Sequence, residues 1–231
     1  MKQLSTEENP LREYLQNNPG RLIDKWVHYF DIYSRHLAPF RGQPVTLVEF
    51  GVLHGGSLQM WKHYFGPQAR IIGVDINPLC LSLAEEQVKI YIGDQGDRAF
   101  LRRIAEEIGS IDIVIEDGGH HMGQQIATFE EMYFRMSEVG LYFTEDVHTS
   151  YWARYGGGVR RPGTFIEYAK QLIDRLHAWH TEDPDALSVD DFTLQTSCLH
   201  FYDSVLVIER RPVEEPRRIK TGKPSFPQKG L

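Results

Sequence analysis

An α/β fold is what this sequence predicts: a doubly wound, mostly parallel sheet of seven strands ending in an antiparallel pair. Three observations predict it. From residue 45 onward, short β-branched runs alternate with helix-spaced apolar residues, the pattern that gives right-handed crossovers and helices on both faces. Several runs stop at acids (Asp75, the pair Glu116-Asp117, the pair Glu145-Asp146), and open α/β sheets bind ligands at such carboxyl ends. Near the C-terminus two apolar runs, 192–201 and 204–209, follow closely around Tyr202-Asp203 and read as a hairpin.

Taken in order, residues 1–19 are polar, with Asn9-Pro10 and Asn18-Pro19-Gly20 as breakers. Leu22, Trp26, Phe30, Tyr33 and Leu37 follow helical spacing and predict an amphipathic helix over 20–38. Residues 45–50 form the first strand, and a glycine-rich turn over 51–57 leads to a helix with Leu58, Trp61 and Phe65 inward. Residues 70–75 make the second strand, and helical material over 79–86 precedes the third, 88–92. A helix through Phe100, Leu101, Ile104 and Ile108 leads to the fourth strand, 111–116, short and β-branched enough to be buried on both faces. Ile126, Phe129, Tyr133 and Met136 mark the next helix, and 140–144 the fifth strand. A loop rich in glycine and arginine, 154–163, then a helix over 164–180 complete the chain before the terminal pair. The predicted organisation is an N-terminal helical extension (1–44), one α/β domain (45–209) and a basic tail (210–231).

Composition narrows the function. At 231 residues and 41% hydrophobic, the chain buries a full core. Its apolar runs are too short to span a bilayer and Met1–Asn9 does not read as a signal peptide, so the expectation is a cytoplasmic protein without a membrane role. Only Cys80 and Cys198 are present, which excludes a disulfide framework and cysteine zinc spacing. Residues 210–231 carry seven basic and two acidic residues, a balance of +5, so the remainder holds −12 of the net −7. An acidic body argues against a nucleic acid backbone as its main partner; the basic tail could contact nucleic acid, but reads rather as solvated or lying on a second subunit of a homo-oligomer.

The chemistry lies at the strand ends. Ile111-Asp-Ile-Val-Ile-Glu-Asp-Gly-Gly-His-His121 runs a buried strand into two acids, two glycines and two histidines. With Glu145-Asp146 on the neighbouring strand, three or four carboxylates pool in one crevice, and a divalent cation is the simplest neutraliser. The bland alternative is a polar turn in which Asp117 caps the following helix. At the first turn, Gly51, Gly55 and Gly56 let a cofactor approach the backbone, while Asp75 is placed to accept ribose hydroxyls. Leu53 stands where a dinucleotide fingerprint has glycine, and Glu49 repels a pyrophosphate. That favours a cofactor with a ribose and a cationic centre, S-adenosylmethionine. Asp94 and Gln95 fit an adenine edge, or a capped turn. Tyr151 and Trp152 fit a stacking platform for substrate, or plain packing; the 154–163 loop reads as a lid, or a surface loop. His54, His63, His148 and His200 show no partner spacing and read as structural.

The segments Val48-Glu-Phe-Gly-Val-Leu-His-Gly-Gly-Ser57, Gly93-Asp-Gln-Gly-Asp97, Ile113-Val-Ile-Glu-Asp-Gly-Gly-His120 and Tyr142-Phe-Thr-Glu-Asp-Val-His-Thr-Ser-Tyr-Trp152 together carry a resemblance. Over about residues 45–160 the chain resembles the class I S-adenosylmethionine-dependent O-methyltransferases of the macrocin and mycinamicin type, with cephalosporin hydroxylase-like proteins as a related branch. The resemblance implies a Rossmann-like seven-stranded sheet and methylation of a hydroxyl on a sugar or other small hydroxylated natural product. It implies Mg²⁺, with Mn²⁺ as runner-up, on Asp117, Glu145 and Asp146, and His120 as general base. It also implies cofactor contacts at Glu49, Gly51, Ser57, Asp75, Asp94 and Gln95. No counterpart of the large N-terminal domain of some members is expected, and His121 is a local competitor for the base. Chemically, a cation held by carboxylates orients and acidifies a sugar hydroxyl, and an imidazole, with an ordinary pKa of about 6.5, takes its proton. A catechol-like diol fits the same logic. A non-catalytic S-adenosylmethionine-binding subunit does not need the acids plus His120.

Overall fold

The computed structural model describes residues 9–226. Most of the segment read for a signal peptide, and Lys229 of the basic tail, lie outside the described residues. Seven strands form one sheet in the order β3-β2-β1-β4-β5-β7-β6. They are β1 (Thr46–Phe50), β2 (Arg70–Asp75), β3 (Val88–Ile92), β4 (Ile113–Glu116), β5 (Gly140–Thr144), β6 (Thr196–Phe201) and β7 (Leu206–Arg210). The first five are parallel; β7 runs antiparallel to both β5 and β6. The chain leaves β1 toward β2 and β3, then returns to β4 on the other side, so the strand order reverses between β1 and β4. A ligand crevice is expected above such a switch point. The register brings the ends level, with Phe50 opposite Glu116 and Glu116 opposite Thr144. The acids that end β4 and β5 therefore meet.

Alternation along the strands builds two cores. Leu47, Ile113, Ile115 and Phe143 face one cluster, with residues of α1 (Pro10–Gln16), α2 (Tyr29–Leu37) and α3 (Gly56–Phe65). Val48, Val114 and Tyr142 face the other, with α4 (Arg98–Ile108), α5 (Met122–Met132) and α6 (Phe165–Leu176). Leu11, Phe30 and Tyr33 share the first cluster with the strands, so the N-terminal helices pack into the same core as the sheet.

Several expectations need correction. Asn9-Pro10, read as a breaker, starts α1: the Asn9 side chain accepts from the backbone N–H groups of Leu11 and Arg12, and Pro10 takes the first helical position. The helix expected over 20–38 forms only from Tyr29 to Leu37, and residues 22–26 are neither helix nor strand. Phe30, Tyr33 and Leu37 are buried as spaced, but Leu22 and Trp26 are more than half exposed (58% and 54%). This strap lies against the start of α3, where a Cβ on Gly56 would meet the Leu22 carbonyl oxygen at 2.2 Å. The helical material near 79–86 is a 3-10 segment, Pro78–Leu83. The strand expected at 192 begins at Thr196, because a short helix, α7 (Asp191–Gln195), precedes it on an Asp190–Thr193 capping box. Arg210, counted with the tail, closes β7; from Arg211 to Phe226 there is no helix or strand.

Candidate active site

At the switch point, Gly51 has φ +88°, and a Cβ there would meet the Asp117 carbonyl oxygen at 2.0 Å. The ends of β1 and β4 touch because a glycine stands between them. Above them opens a cavity of about 790 Å³, which Gly51, Ser57, Asp75, Asp94, Asp117 and His120 help to line. One wall is the strap, residues 22–27, with Tyr29 below it.

The half of the cavity over β1–β3 is held by carboxylates on backbone donors. Asp75 Oδ2 accepts from the N–H groups of Val52 (2.8 Å) and Leu53 (3.2 Å), fixing the glycine turn, while Oδ1 accepts from Asn77 N–H at 2.8 Å. Asp94 Oδ1 accepts from Gly96 N–H at 2.7 Å and keeps an exposed position beside the cavity. Gln95 is buried: its amide donates to Glu116 Oε1 (2.7 Å) and accepts from Gly119 N–H (2.9 Å). It therefore supports the loop after β4 rather than presenting a vacant amide edge. Burial raises the Glu116 carboxyl to about 7, against the bond from Gln95 that lowers it.

The other half holds a cation that the sequence did not disclose. Lys25, on the strap, is 2% exposed at its side chain and lies 2.7 Å from Asp117 Oδ2, 3.0 Å from Glu145 Oε2 and 3.2 Å from Glu49 Oε1. Burial alone would lower its pKa; Asp117 and Glu145 outweigh that and hold it well above the ordinary lysine range. Burial, then Asp117, pushes the Glu145 carboxyl well up, and burial raises Asp117 as well. Glu49 lies beneath the cavity wall rather than in it, accepting from Ser57 Oγ (2.7 Å) and Trp61 Nε1 (3.2 Å). Tyr33 donates to Glu145 from below, and Tyr29 donates to Asp146 Oδ1 at 2.6 Å.

The expected grouping of Asp117, Glu145 and Asp146 divides. Asp146 has φ +51°, and this left-handed turn separates two consecutive acids. Both acids line the cavity; Glu145 is engaged by Lys25 and Tyr33, and Asp146 by Tyr29. The donors that converge within 4.8 Å of one another belong to Asp117, His120 and Asp146. His120 Nε2 is 3.5 Å from Asp146 Oδ2 and 3.9 Å from Asp117 Oδ1. His120 reaches them because it too is left-handed, at φ +55°. His121 caps α5 outside the helix, is exposed, and places its ring against Tyr155 at 5.4 Å between centroids. Of the expected stacking pair, Trp152 lines the cavity, with Tyr155 beside it at 6.0 Å; Tyr151 does not and is 46% exposed.

No family model matches the chain. Among curated proteins it is similar to the 8-demethyl-8-alpha-L-rhamnosyl tetracenomycin-C 2'-O-methyltransferase of Streptomyces olivaceus, 38% identical over 200 residues, 81% of this chain and 52% of that protein. It is similar also to the mycinamicin VI 2''-O-methyltransferase of Micromonospora griseorubida, 34% identical over 197 residues, 80% of this chain and 49% of that one. The chain thus spans about half the length of the curated relatives it matches. Among solved structures, the MycE methyltransferase from the mycinamycin biosynthetic pathway, in complex with Mg, SAH and mycinamycin VI, superposes with a TM-score of 0.77 at 31% identity. That match covers 90% of this chain and 55% of the other. Among the described residues, no helix is long and apolar enough to cross a membrane.

Proposed function

Over the residues it shares with them, the chain belongs to the class I S-adenosylmethionine-dependent sugar O-methyltransferases of the macrocin and mycinamicin type, and from that premise we propose that it methylates a hydroxyl of a sugar or glycosylated natural product. The observation that carries the reading is the meeting of Asp117, His120 and Asp146 in the same cavity as Asp75 and the glycine turn. One half suits a ribose-bearing methyl donor; the other, with its acids and His120, suits a hydroxyl acceptor.

S-adenosylmethionine is consumed, so it is a substrate. Asp75 would accept its ribose hydroxyls on the lone pairs that Val52, Leu53 and Asn77 leave, and Gly51 lets the donor approach the backbone. The acids also fit a divalent cation. Asp146 Oδ2 and Asp117 Oδ1 face the cavity, while their other oxygens are fixed by Tyr29 and Lys25. An all-carboxylate set favours Mg²⁺, and Glu145 adjoins it through the shared Lys25. Held there, such a cation would supply positive charge to orient the acceptor and acidify its hydroxyl.

The remaining work falls to the chain. Methyl transfer requires the acceptor oxygen in line with the sulfonium methyl, mainly a positioning task. The acceptor O–H bond breaks as His120 Nε2 takes the proton, a C–O bond forms, and the S–CH₃ bond breaks to leave S-adenosylhomocysteine. His120 Nε2 lies 3.5 Å from Asp146 and 3.9 Å from Asp117, which puts the base beside the oxygens that would hold the cation. Trp152 and Tyr155 supply aromatic faces where an acceptor sugar can stack. In the test, a panel of glycosylated acceptors is incubated with methyl-labelled donor, with and without chelator. Mg²⁺-dependent label on a sugar oxygen is expected; equal transfer after exhaustive chelation rules out the cation's role, and label on none of the panel rules out the acceptor class.

A further inference from the structure

Behind the sheet edge, away from the crevice, three elements bring a second set of donors together. His36 comes from α2, His200 from β6 and Glu209 from β7, and one donor atom of each lies within 4.8 Å of the other two. Glu209 Oε1 stands between the rings, 2.8 Å from His200 Nε2 and 3.7 Å from His36 Nδ1. The second distance is too long for a hydrogen bond, so a ring nitrogen faces a carboxylate without bonding to it. The rings themselves are 4.6 Å apart between centroids. Donors on a tetrahedral zinc ion with bonds near 2.1 Å lie about 3.4 Å from one another, within reach of these positions once the partly exposed His200 turns.

The other His36 nitrogen is already committed. Nε2 sits 2.9 Å from the Tyr202 hydroxyl, which fixes the ring and leaves Nδ1 as the atom that faces Glu209. A hydrogen bond on the far nitrogen is the usual support for a metal-bound imidazole. His36 is 7% exposed, whereas His200 and Glu209 are about one-third exposed at their side chains, so an ion has a way in. The nearby Arg35 opposes a cation, but its guanidinium is exposed and engages Tyr202 at 3.3 Å.

We infer that His36, His200 and Glu209 form a zinc site that ties α2 to the β6–β7 edge. Two imidazoles and one carboxylate are a zinc donor set, and Mg²⁺, which prefers oxygen, competes poorly for it. The tie has a structural consequence. Tyr29, Tyr33 and His36 fall on one stripe of α2, at i, i+4 and i+7. The helix that would be fixed at His36 is thus the one that presents Tyr29 to Asp146 and Tyr33 to Glu145.

To test this, the full chain carrying Asp117→Asn and Asp146→Asn, which disable the crevice as a competing site, is stripped with chelator and titrated with Zn²⁺ by calorimetry. Thermal unfolding is followed in parallel. The expected result is one zinc per chain, unaffected by Mg²⁺, with a higher Tm. His200→Ala and Glu209→Gln, both at partly exposed positions, should abolish binding and the Tm rise, and Tyr202→Phe should weaken binding about 10–100-fold. Absence of zinc binding at micromolar concentration overturns the inference, as does stoichiometric binding that survives the double variant His200→Ala, Glu209→Gln.

Discussion

Replacing Lys25 by methionine tests whether this lysine is the internal counter-ion of the crevice. Methionine keeps the length of the stem and removes the ammonium that lies 2.7, 3.0 and 3.2 Å from three carboxylates. The gross attraction of each such pair is several kcal/mol even at the effective dielectric of protein sites, but most of it repays desolvation of the ions. The net cost of breaking a buried cluster by removing one partner is about 3–5 kcal/mol. Without Lys25, Asp117, Glu145 and Glu49 face one another alone, and their carboxyls, already raised by burial, rise further. Between the unfolded and the raised folded pKa values the folded variant binds protons that the unfolded chain does not, so its stability falls as pH rises. The defect should therefore be full in mild alkali and shrink toward pH 5. Denaturant unfolding of metal-stripped protein at the two pH values measures it. A divalent cation at Asp117 and Asp146 would relieve the repulsion that the lost ammonium leaves at Asp117, so Mg²⁺ should restore the variant more than it stabilises the parent; at a hundredfold excess over Kd, binding supplies about 2.7 kcal/mol. A loss below about 1 kcal/mol in alkali, with equal Mg²⁺ increments for both proteins, refutes the counter-ion argument.

Three further outcomes follow from the same geometry. His120→Ala should lower turnover about 10²–10⁴-fold while S-adenosylhomocysteine binding persists, whereas His121→Ala should keep most activity; single-turnover rates and calorimetry on both variants decide, and the reversed pattern would displace His120 as base. Asp75→Ala should weaken S-adenosylhomocysteine binding by about 1–3 kcal/mol, toward the upper end because it also releases Val52 and Leu53; unchanged affinity in calorimetry would remove Asp75 from the donor site. At Asp190, burial acts upward on the carboxyl, but the Thr193 N–H and Arg175 prevail and hold it below its ordinary range, so its contribution is present above the unfolded pKa and fades as pH falls through the folded one. Asp190→Ala should cost about 1 kcal/mol at neutral pH and less in strong acid; an equal loss at both pH values in denaturant titrations would contradict the assignment.

The features legible in the sequence are those whose cause is local. β-branched runs, acids at their ends and glycines at a close backbone approach are properties of a few consecutive residues, and they located the sheet and the crevice. The strap shows where locality fails. Leu22, Trp26, Phe30, Tyr33 and Leu37 keep one helical period, yet only the last three enter the core; the first two lie along the cavity. Lys25 lies outside that apolar series, and nothing in the local pattern marks it for burial. A lysine is almost never fully buried unless paired, and its partners stand 24, 92 and 120 residues away, at the ends of three strands. Glu145 and Asp146 were legible as acids at a strand end, whereas the backbone turn between them was not. Successive side chains of a strand point to opposite faces, so consecutive acids at a strand end can meet one ion only where the backbone turns between them. It does turn, at Asp146, and it sends Glu145 to Lys25 while Asp146 goes to His120. The crevice is therefore two charge clusters joined through Asp117, whose Oδ2 serves the lysine and whose Oδ1 faces the imidazole. A cation held by both Asp117 and Asp146 would share Asp117 with Lys25, and its affinity would then be linked to the position of the strap.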